Sequence, residues 1–369
     1  MLDSSKQEKA DYLIIGAGIL GLMIAKKIRE SNPKARIVVL EKERNVACHA
    51  SGRNSGVLHA GFYYHPKSLK ARFCREGNFW LQNYCQEKGI PLKRTGKVVV
   101  AKDENELETL ELLYERGKAN GVEVRMVDEK ELSEIEPVAR TVEKALYSPS
   151  TATVDPVSVC KSLRKELEGR GVVFCFSEGY RKRISQGVIE TTLGRRIEAQ
   201  RILNCAGLYA DKIAKDFGFS KEYEILPFKG IYLYTKGLEG RLSTHIYPVP
   251  DLQYPFLGVH FTLTVEGKVK VGPTAIPAFW RENYQGLANF RFSEILPILG
   301  WCTRLFLTNS IHFRDLALEE WKKYSQKYLL AQSKQLLKQK VSVSSAGWSR
   351  PGIRAQLLDC RRKELVSDF

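Results

Sequence analysis

Long hydrophobic runs are missing from this sequence. No stretch reaches the roughly 18 uncharged apolar residues that a membrane-spanning helix needs, so none is expected. Paired cysteines are missing too. The eight cysteines stand at 48, 74, 85, 160, 175, 205, 302 and 360, with no C-x-x-C pair and no zinc-type spacing. This argues against a disulfide framework and against any metal site, and for a reducing, cytosol-like compartment. Residues 1–10 are polar and contain no signal-peptide core. No recognised nucleic-acid module is present, although the formal net charge is +16. Basic residues are interleaved with acids along the chain, which points away from nucleic acid and toward a small anionic partner or an anionic membrane face. The expected location is cytoplasmic, with peripheral contact at the inner face of the cell membrane left open.

What is present begins with a strand–glycine–helix–strand–acid unit. Tyr12-Leu13-Ile14-Ile15 is a short apolar run, followed by Gly16-Ala17-Gly18-Ile19-Leu20-Gly21. Leu22, Ile24, Ala25 and Ile28 recur at helical spacing, and Ile37-Val38-Val39-Leu40 is a second apolar run that ends on Glu41. Each part suits a dinucleotide. Gly16 permits a tight turn, Gly18 a close approach to pyrophosphate, and Gly21 close packing of helix on strand. The helix N-terminus offers N–H groups to phosphate, and Glu41, roughly 20 residues past the glycines, suits a ribose diol. Lys42 adjoins it.

The stretch from Cys48 to His65 follows, with Ser51, Arg53, Asn54, Ser55 and Gly56, then His59, Tyr63 and Tyr64. Small residues that let backbone approach a planar ligand, mixed with histidine and arginine, indicate cofactor contact rather than a linker. Residues 68–88 read as an amphipathic helix, Lys97–Ala101 as a strand, 104–118 as a charged helix, and 122–127 as another strand. Asp155 with Pro156 marks a helix start. Residues 201–207 form a strand closing on Ala206-Gly207, a second glycine turn able to return the chain to the first sheet. Runs at 231–234, 246–251, 256–262 and 268–272 predict an antiparallel sheet bearing His245, Tyr247 and His260. Between 280 and 340 an apolar segment precedes a basic helix carrying Trp321, Tyr324, Tyr328 and six lysines. Two readings stand for it: a packed helical subdomain, or a membrane-surface segment. Arg350 and Arg354 flank a glycine bend, a natural carboxylate grip.

These stretches carry a resemblance. G-A-G-I-L-G at 16–21, S-G-R-N-S-G-V-L-H-A-G-F-Y-Y at 51–64, N-C-A-G-L-Y-A-D at 204–211, Y-P-V-P-D at 247–251, P-F-L-G-V-H-F-T at 255–262 and P-G-I-R-A-Q-L at 351–357 are similar to the flavin-dependent D-amino-acid oxidase superfamily. Within it the chain most resembles the L-2-hydroxyglutarate oxidase/dehydrogenase family. Some positions depart from the usual pattern, among them Ile231, Leu263 and Thr274.

The resemblance implies an α/β fold, with a Rossmann-like FAD-binding domain and a second α+β substrate domain containing an antiparallel sheet. Expected boundaries are 1–90, 145–218 and 341–369 for the first, and 91–144 with 219–340 for the second. It implies FAD, held by Gly16, Gly18, Gly21, Glu41, Lys42, Ser51, Arg53, Asn54, Ser55, Gly56, Ala206 and Gly207. It implies oxidation of a small dicarboxylate, L-2-hydroxyglutarate, to 2-oxoglutarate, with oxygen or a quinone as acceptor. The base is expected to be His59 or, second, His260; a covalent flavin link through His59 is an alternative role. Tyr63, Tyr64, Lys229, Tyr247, Arg350 and Arg354, with Arg53, are the candidate substrate contacts. Similar proteins continue past the position of Phe369 with a loop at the flavin, so the chain is expected to be shortened, to hold FAD weakly or to be inactive alone. The open alternatives are another oxidase of the superfamily, acting on an amine or glycerol 3-phosphate, and a non-catalytic flavin-binding protein.

Overall fold

Glu8–Ile15 lies in the middle of a six-stranded sheet because both its edges find parallel partners. Ile37–Leu40 pairs on one side and Arg196–Asn204 on the other; Val173–Cys175 then pairs with Ile37–Leu40. All four residues of Ile37–Leu40 are buried, as in a parallel sheet covered on both faces. The hairpin of Tyr180–Ser185 and Val188–Thr191 extends the Arg196–Asn204 edge in antiparallel fashion. Helices Ile19–Ser31 and Pro156–Gly169 pack side by side on one face, with Leu22, Ala25, Leu163 and Leu167 in a common core. Asp155 caps the second helix by accepting from the Val157 and Ser158 amides at 3.1 Å. This is the expected Rossmann-like half. A computed structural model describes residues 8–252, 258–309 and 312–366. Residues 256–257 of the predicted 256–262 run lie outside the described residues.

The second sheet has eight strands. In spatial order they are Ser344–Trp348, Leu233–Lys236, Val269–Gly272, His260–Leu263, His245–Pro248, Lys97–Val100, Lys144–Ser148 and Arg125–Asp128. All neighbours are antiparallel except Lys97–Val100 with His245–Pro248. Strand alternation sorts its side chains into two faces. Val98, Val100, Ile246, Phe261, Val269 and Val271 share one apolar core with Leu329, Leu336 and Leu337 from the helical segment. The intervening positions, Lys97, His245, Tyr247, His260, Thr262 and Lys270, fall on the opposite face. Every one of these six is buried.

Two expectations need correction. Residues 341–369 were assigned to the cofactor side, yet Ser344–Trp348 pairs with Leu233–Lys236 and Gly352–Asp359 pairs with Tyr223–Gly230. Alternation buries both sides of Gly352–Asp359: Leu358 packs with Leu226, Phe228 and Leu305, and Ile353 packs with Leu208, Ile225 and Tyr284. The single basic helix expected after 307 is instead two, Phe313–Lys322 and Gln326–Lys334, because Ser325 breaks the run and caps the second helix.

The segment after 279 is also fastened to the parallel sheet's side. Arg281 donates through both terminal nitrogens to Asp211 at 2.7 Å, and its backbone N–H donates to Glu294 at 3.0 Å. Both Arg281 and Asp211 are 4% exposed. Arg281→Ala leaves a buried carboxylate without its partner, and a loss of about 3–5 kcal/mol is expected in urea unfolding. An unchanged unfolding midpoint would show that this clamp is not formed in solution.

Candidate active site

The glycine turn leaves backbone open where a phosphate approaches. Gly16 has φ +109°, and a Cβ there would meet the Cys205 carbonyl at 2.4 Å; a Cβ on Gly21 would meet the Gly16 carbonyl at 2.0 Å. Gly18 is the N-cap of Ile19–Ser31, a helix with no acidic residue in its first turn. Ser51 Oγ accepts from the Ile19 amide at 2.9 Å, which leaves its own hydroxyl hydrogen to donate to an anion. Glu41 folds back on the turn, accepting from the Ala17 amide at 2.8 Å and the Glu43 amide at 2.9 Å. An acid-free helix N-terminus, side chain-free turn and a fixed carboxylate at the second strand's tip fit the pyrophosphate and ribose of FAD.

Other predicted cofactor residues shape the loop. Asn54 donates to the Ala50 and Ser51 carbonyls and accepts from the Gly56 amide, closing the turn on itself. Ser55 accepts the Val57 amide on its hydroxyl. Arg53 donates to the Cys48 carbonyl at 2.7 Å and the Pro351 carbonyl at 3.3 Å, and stacks 4.1 Å above the Tyr284 ring. The loop and the C-terminal strand therefore meet at Arg53, where a Cβ on Gly352 would lie 2.1 Å from the Arg53 carbonyl. Lys42 directs its ammonium to Glu43 and Glu282, both at 2.6 Å. Ala206 and Gly207 stand at the end of Arg196–Asn204, where the Asn204 side chain accepts from the Ala206 amide.

The polar face of the eight-stranded sheet brings the titratable groups together. Tyr247 and His260 stack with centroids 3.8 Å apart, His59 from the loop stands edge-on to Tyr247 at 6.2 Å, and Tyr232 edge-on to His260 at 6.2 Å. Lys97 Nζ sits 4.4 Å from the Phe62 ring and 4.7 Å from the Tyr247 ring. Lys270 Nζ lies over Tyr232 and donates to the Ser55 carbonyl at 3.3 Å.

The two sheet histidines differ in their bonding. His245 Nδ1 accepts from the Leu263 amide, so its Nε2 carries the hydrogen and meets Thr153 and Thr95 hydroxyls at 2.9 and 3.0 Å. It is a satisfied core histidine. His260 Nδ1 lies 2.8 Å from the Gly258 carbonyl, an acceptor only, so the hydrogen sits on Nδ1. Its Nε2 is buried with no hydrogen-bond partner among the described residues. A neutral imidazole with an unused lone pair in a dry site is a proton acceptor in waiting. Burial pulls both sheet histidines down to about 3, with Lys97 adding to the shift in each. His59 is held well below its ordinary range by burial, then by Lys97 and the other two histidines.

Among the predicted substrate contacts, Tyr247 is at the centre of this cluster. Arg354 acts electrostatically on His260, Tyr64 and Tyr232. Tyr63 and Tyr64 pack edge to face, each pushed up to about 12 by burial, so both stay protonated donors. Lys229 donates to Asn283 at 3.1 Å. Arg350 is exposed at the bend and is not brought into the cluster. Lys97, Lys270 and Tyr232 were missed. Their one signal was alternation, which puts them on the same strand face as His245 and His260.

Three imidazoles that stay neutral when folded protonate near 6.5 when unfolded. The unfolded chain then binds more protons than the folded one, so stability falls as pH drops. The urea midpoint is expected to fall between about pH 7 and pH 5; a flat midpoint would mean these histidines are charged in the folded state.

The comparisons agree with this geometry. A family model described as FAD dependent oxidoreductase matches residues 11–359. The chain is 37% identical over 380 residues to the mitochondrial L-2-hydroxyglutarate dehydrogenase of Bos taurus, covering 97% of this chain and 80% of that relative. It is 40% identical over 294 residues to L-2-hydroxyglutarate dehydrogenase of Escherichia coli (strain K12), covering 79% and 69%. L-alpha-glycerophosphate oxidase from Mycoplasma pneumoniae, solved with FAD bound, superposes with TM-score 0.67 at 26% identity, over 79% of this chain and 78% of that one. Glycine oxidase from Geobacillus kaustophilus shares the fold, with TM-score 0.71 at 19% identity over 95% and 84%. With the glycine turn, the histidine-bearing sheet and the C-terminal strands all inside the matched region, the chain belongs to the FAD dependent oxidoreductase (DAO) family.

Proposed function

We propose that this protein oxidises L-2-hydroxyglutarate to 2-oxoglutarate with FAD and passes the electrons to oxygen or a quinone. The observation that carries the chemistry is His260 Nε2, buried and without a hydrogen-bond partner among the described residues, while Nδ1 faces the Gly258 carbonyl. The substrate class rests on the named relatives at 36–40% identity. Bound FAD supplies the two-electron acceptor for the substrate's C2 hydride. Gly16, Gly18, Gly21, Ser51 and Glu41 would hold its pyrophosphate and ribose.

His260 accepts the proton of the C2 hydroxyl at Nε2. The Nδ1–H bond to Gly258 and the Tyr247 stack keep its ring in one orientation. A base depressed by burial and cations is weak in the empty site. The negative charge of a bound dianion opposes the neighbouring cations and favours the protonated imidazole, so basicity rises when substrate is in place. Arg354 grips carboxylate, and the Tyr63 and Tyr64 hydroxyls donate; Lys229, on the other face of its strand pair, stays with Asn283. His59 lines the same pocket as the second candidate base. In this division 8–90 and 149–218 serve the cofactor and the eight-stranded sheet, which includes Lys144–Ser148, serves the substrate.

Anaerobic L-2-hydroxyglutarate is expected to bleach the flavin of the loaded protein. His260→Gln is expected to slow that bleaching by about 10²–10⁴-fold, with a smaller effect for His59→Gln. Flavin that stays oxidised with this acid but is reduced by an amine or a phosphate ester would overturn the substrate. An undiminished rate in His260→Gln would remove it as base.

Peripheral membrane contact belongs to the proposal as the route to a quinone. No helix among the described residues is long and apolar enough to cross a membrane. Phe292, Leu296, Leu307, Leu318 and Trp321 are nevertheless exposed on the adjoining helices Phe292–Thr308 and Phe313–Lys322. Apolar side chains beside lysines suit an anionic bilayer surface. Co-sedimentation with anionic vesicles is expected, weakened by Leu307→Ser with Trp321→Ser; no binding in low salt would remove this part.

A further inference from the structure

We propose that Lys97 is the buried cation that receives one carboxylate of the bound diacid, and that it gains its proton as the acid binds. The inference rests on the proposed substrate class. Lys97 opens the strand Lys97–Val100 and lies directly opposite His245 in the parallel pairing. It is 4% exposed. Its ammonium sits between the faces of Phe62 and Tyr247, at 4.4 and 4.7 Å. No carboxylate lies within ion-pairing distance of it among the described residues.

Every group that faces Lys97 is neutral or cationic. His245 faces it from the neighbouring strand, His260 from the strand beyond, His59 from the loop, and Cys74 from the helix Leu69–Glu87. Cys74 is held as a thiol by burial and shares a hydrogen bond with Tyr64. Further out, Arg354 and Lys323 act on His260 and Lys270 acts on His245. Two aromatic faces do not balance a full buried charge. The site is therefore short of one anion. Burial accordingly brings Lys97 down to about 7 in the empty protein.

An anionic ligand removes that deficit. A carboxylate beside the amine restores the ammonium, so binding and proton uptake are linked. The ion pair so formed carries no net charge, so Lys97 gains its proton without adding net repulsion at His260 and His59. Lys97 thus couples occupancy of the site to proton uptake by the protein.

The test is calorimetric binding of 2-oxoglutarate to the FAD-loaded protein in buffers of different ionisation enthalpy. The diacid is already fully ionised, so proton uptake reports the protein. Uptake is expected to be roughly half a proton at pH 7, to approach about one at pH 8.5 and to be near zero at about pH 5.5. A histidine as the acceptor would instead still take up its proton at the acid end. His260→Gln is expected to keep the uptake. Lys97→Met is expected to lose it and to bind about tenfold more weakly or worse. Unchanged uptake in a folded, flavin-retaining Lys97→Met protein overturns the assignment. If that variant fails to fold, absence of uptake in the wild type, or uptake that is strongest at acid pH, overturns it. Binding with the expected uptake but no flavin reduction by L-2-hydroxyglutarate would count against the proposed reaction and not against Lys97.

Discussion

One sheet face carries positive and imidazole groups in a place where water does not reach, and no carboxylate among the described residues pairs with Lys97. That shortage of negative charge governs the rest. Desolvation and neighbouring cations keep His59, His245 and His260 neutral. Neutral imidazole is the form that accepts a proton, and an uncompensated cation is what a diacid needs to find. The electrostatics are arranged for a ligand rather than for the empty fold.

The architecture explains how such a face stays buried. Along each strand, residues alternate between an apolar core and this polar surface. Val98, Ile246, Phe261 and Val271 bury one face against Leu329, Leu336 and Leu337. The loop bearing His59 and Phe62 closes the other, and it is anchored by Arg53 against the C-terminal strand at Pro351. The 280–294 segment is pinned independently through Arg281, Glu282 and Lys42. Cofactor cradle and polar face are thus held in register by contacts between residues far apart in the chain.

Much of this was legible in the sequence where the physics is local. The glycine turn and the Asp155 cap are short-range devices, and the structure forms both; Glu41 bonds the Ala17 and Glu43 amides, and Asn54 closes its own loop. His260 was legible as a candidate only, since the Gly258 bond that fixes its tautomer is a matter of backbone geometry. Lys97 looked like an ordinary strand start; pairing with His245, 148 positions later, is what gives it meaning. Lys42 is expected from the resemblance to hold FAD; its ammonium pairs with Glu43 and with Glu282, the latter 240 residues away. The C-terminal strands were misplaced for the same reason: which sheet an amphipathic strand joins is decided by partners, not by its own pattern.

The central claim is that His260 is neutral, with its hydrogen on Nδ1 and its Nε2 lone pair free. Nitrogen NMR of imidazole-labelled protein reads this directly. The account predicts an Nδ1–H tautomer for His260 that persists without titrating from about pH 8 down to about pH 5. An Nε2–H tautomer, or protonation close to the ordinary histidine value, would contradict it.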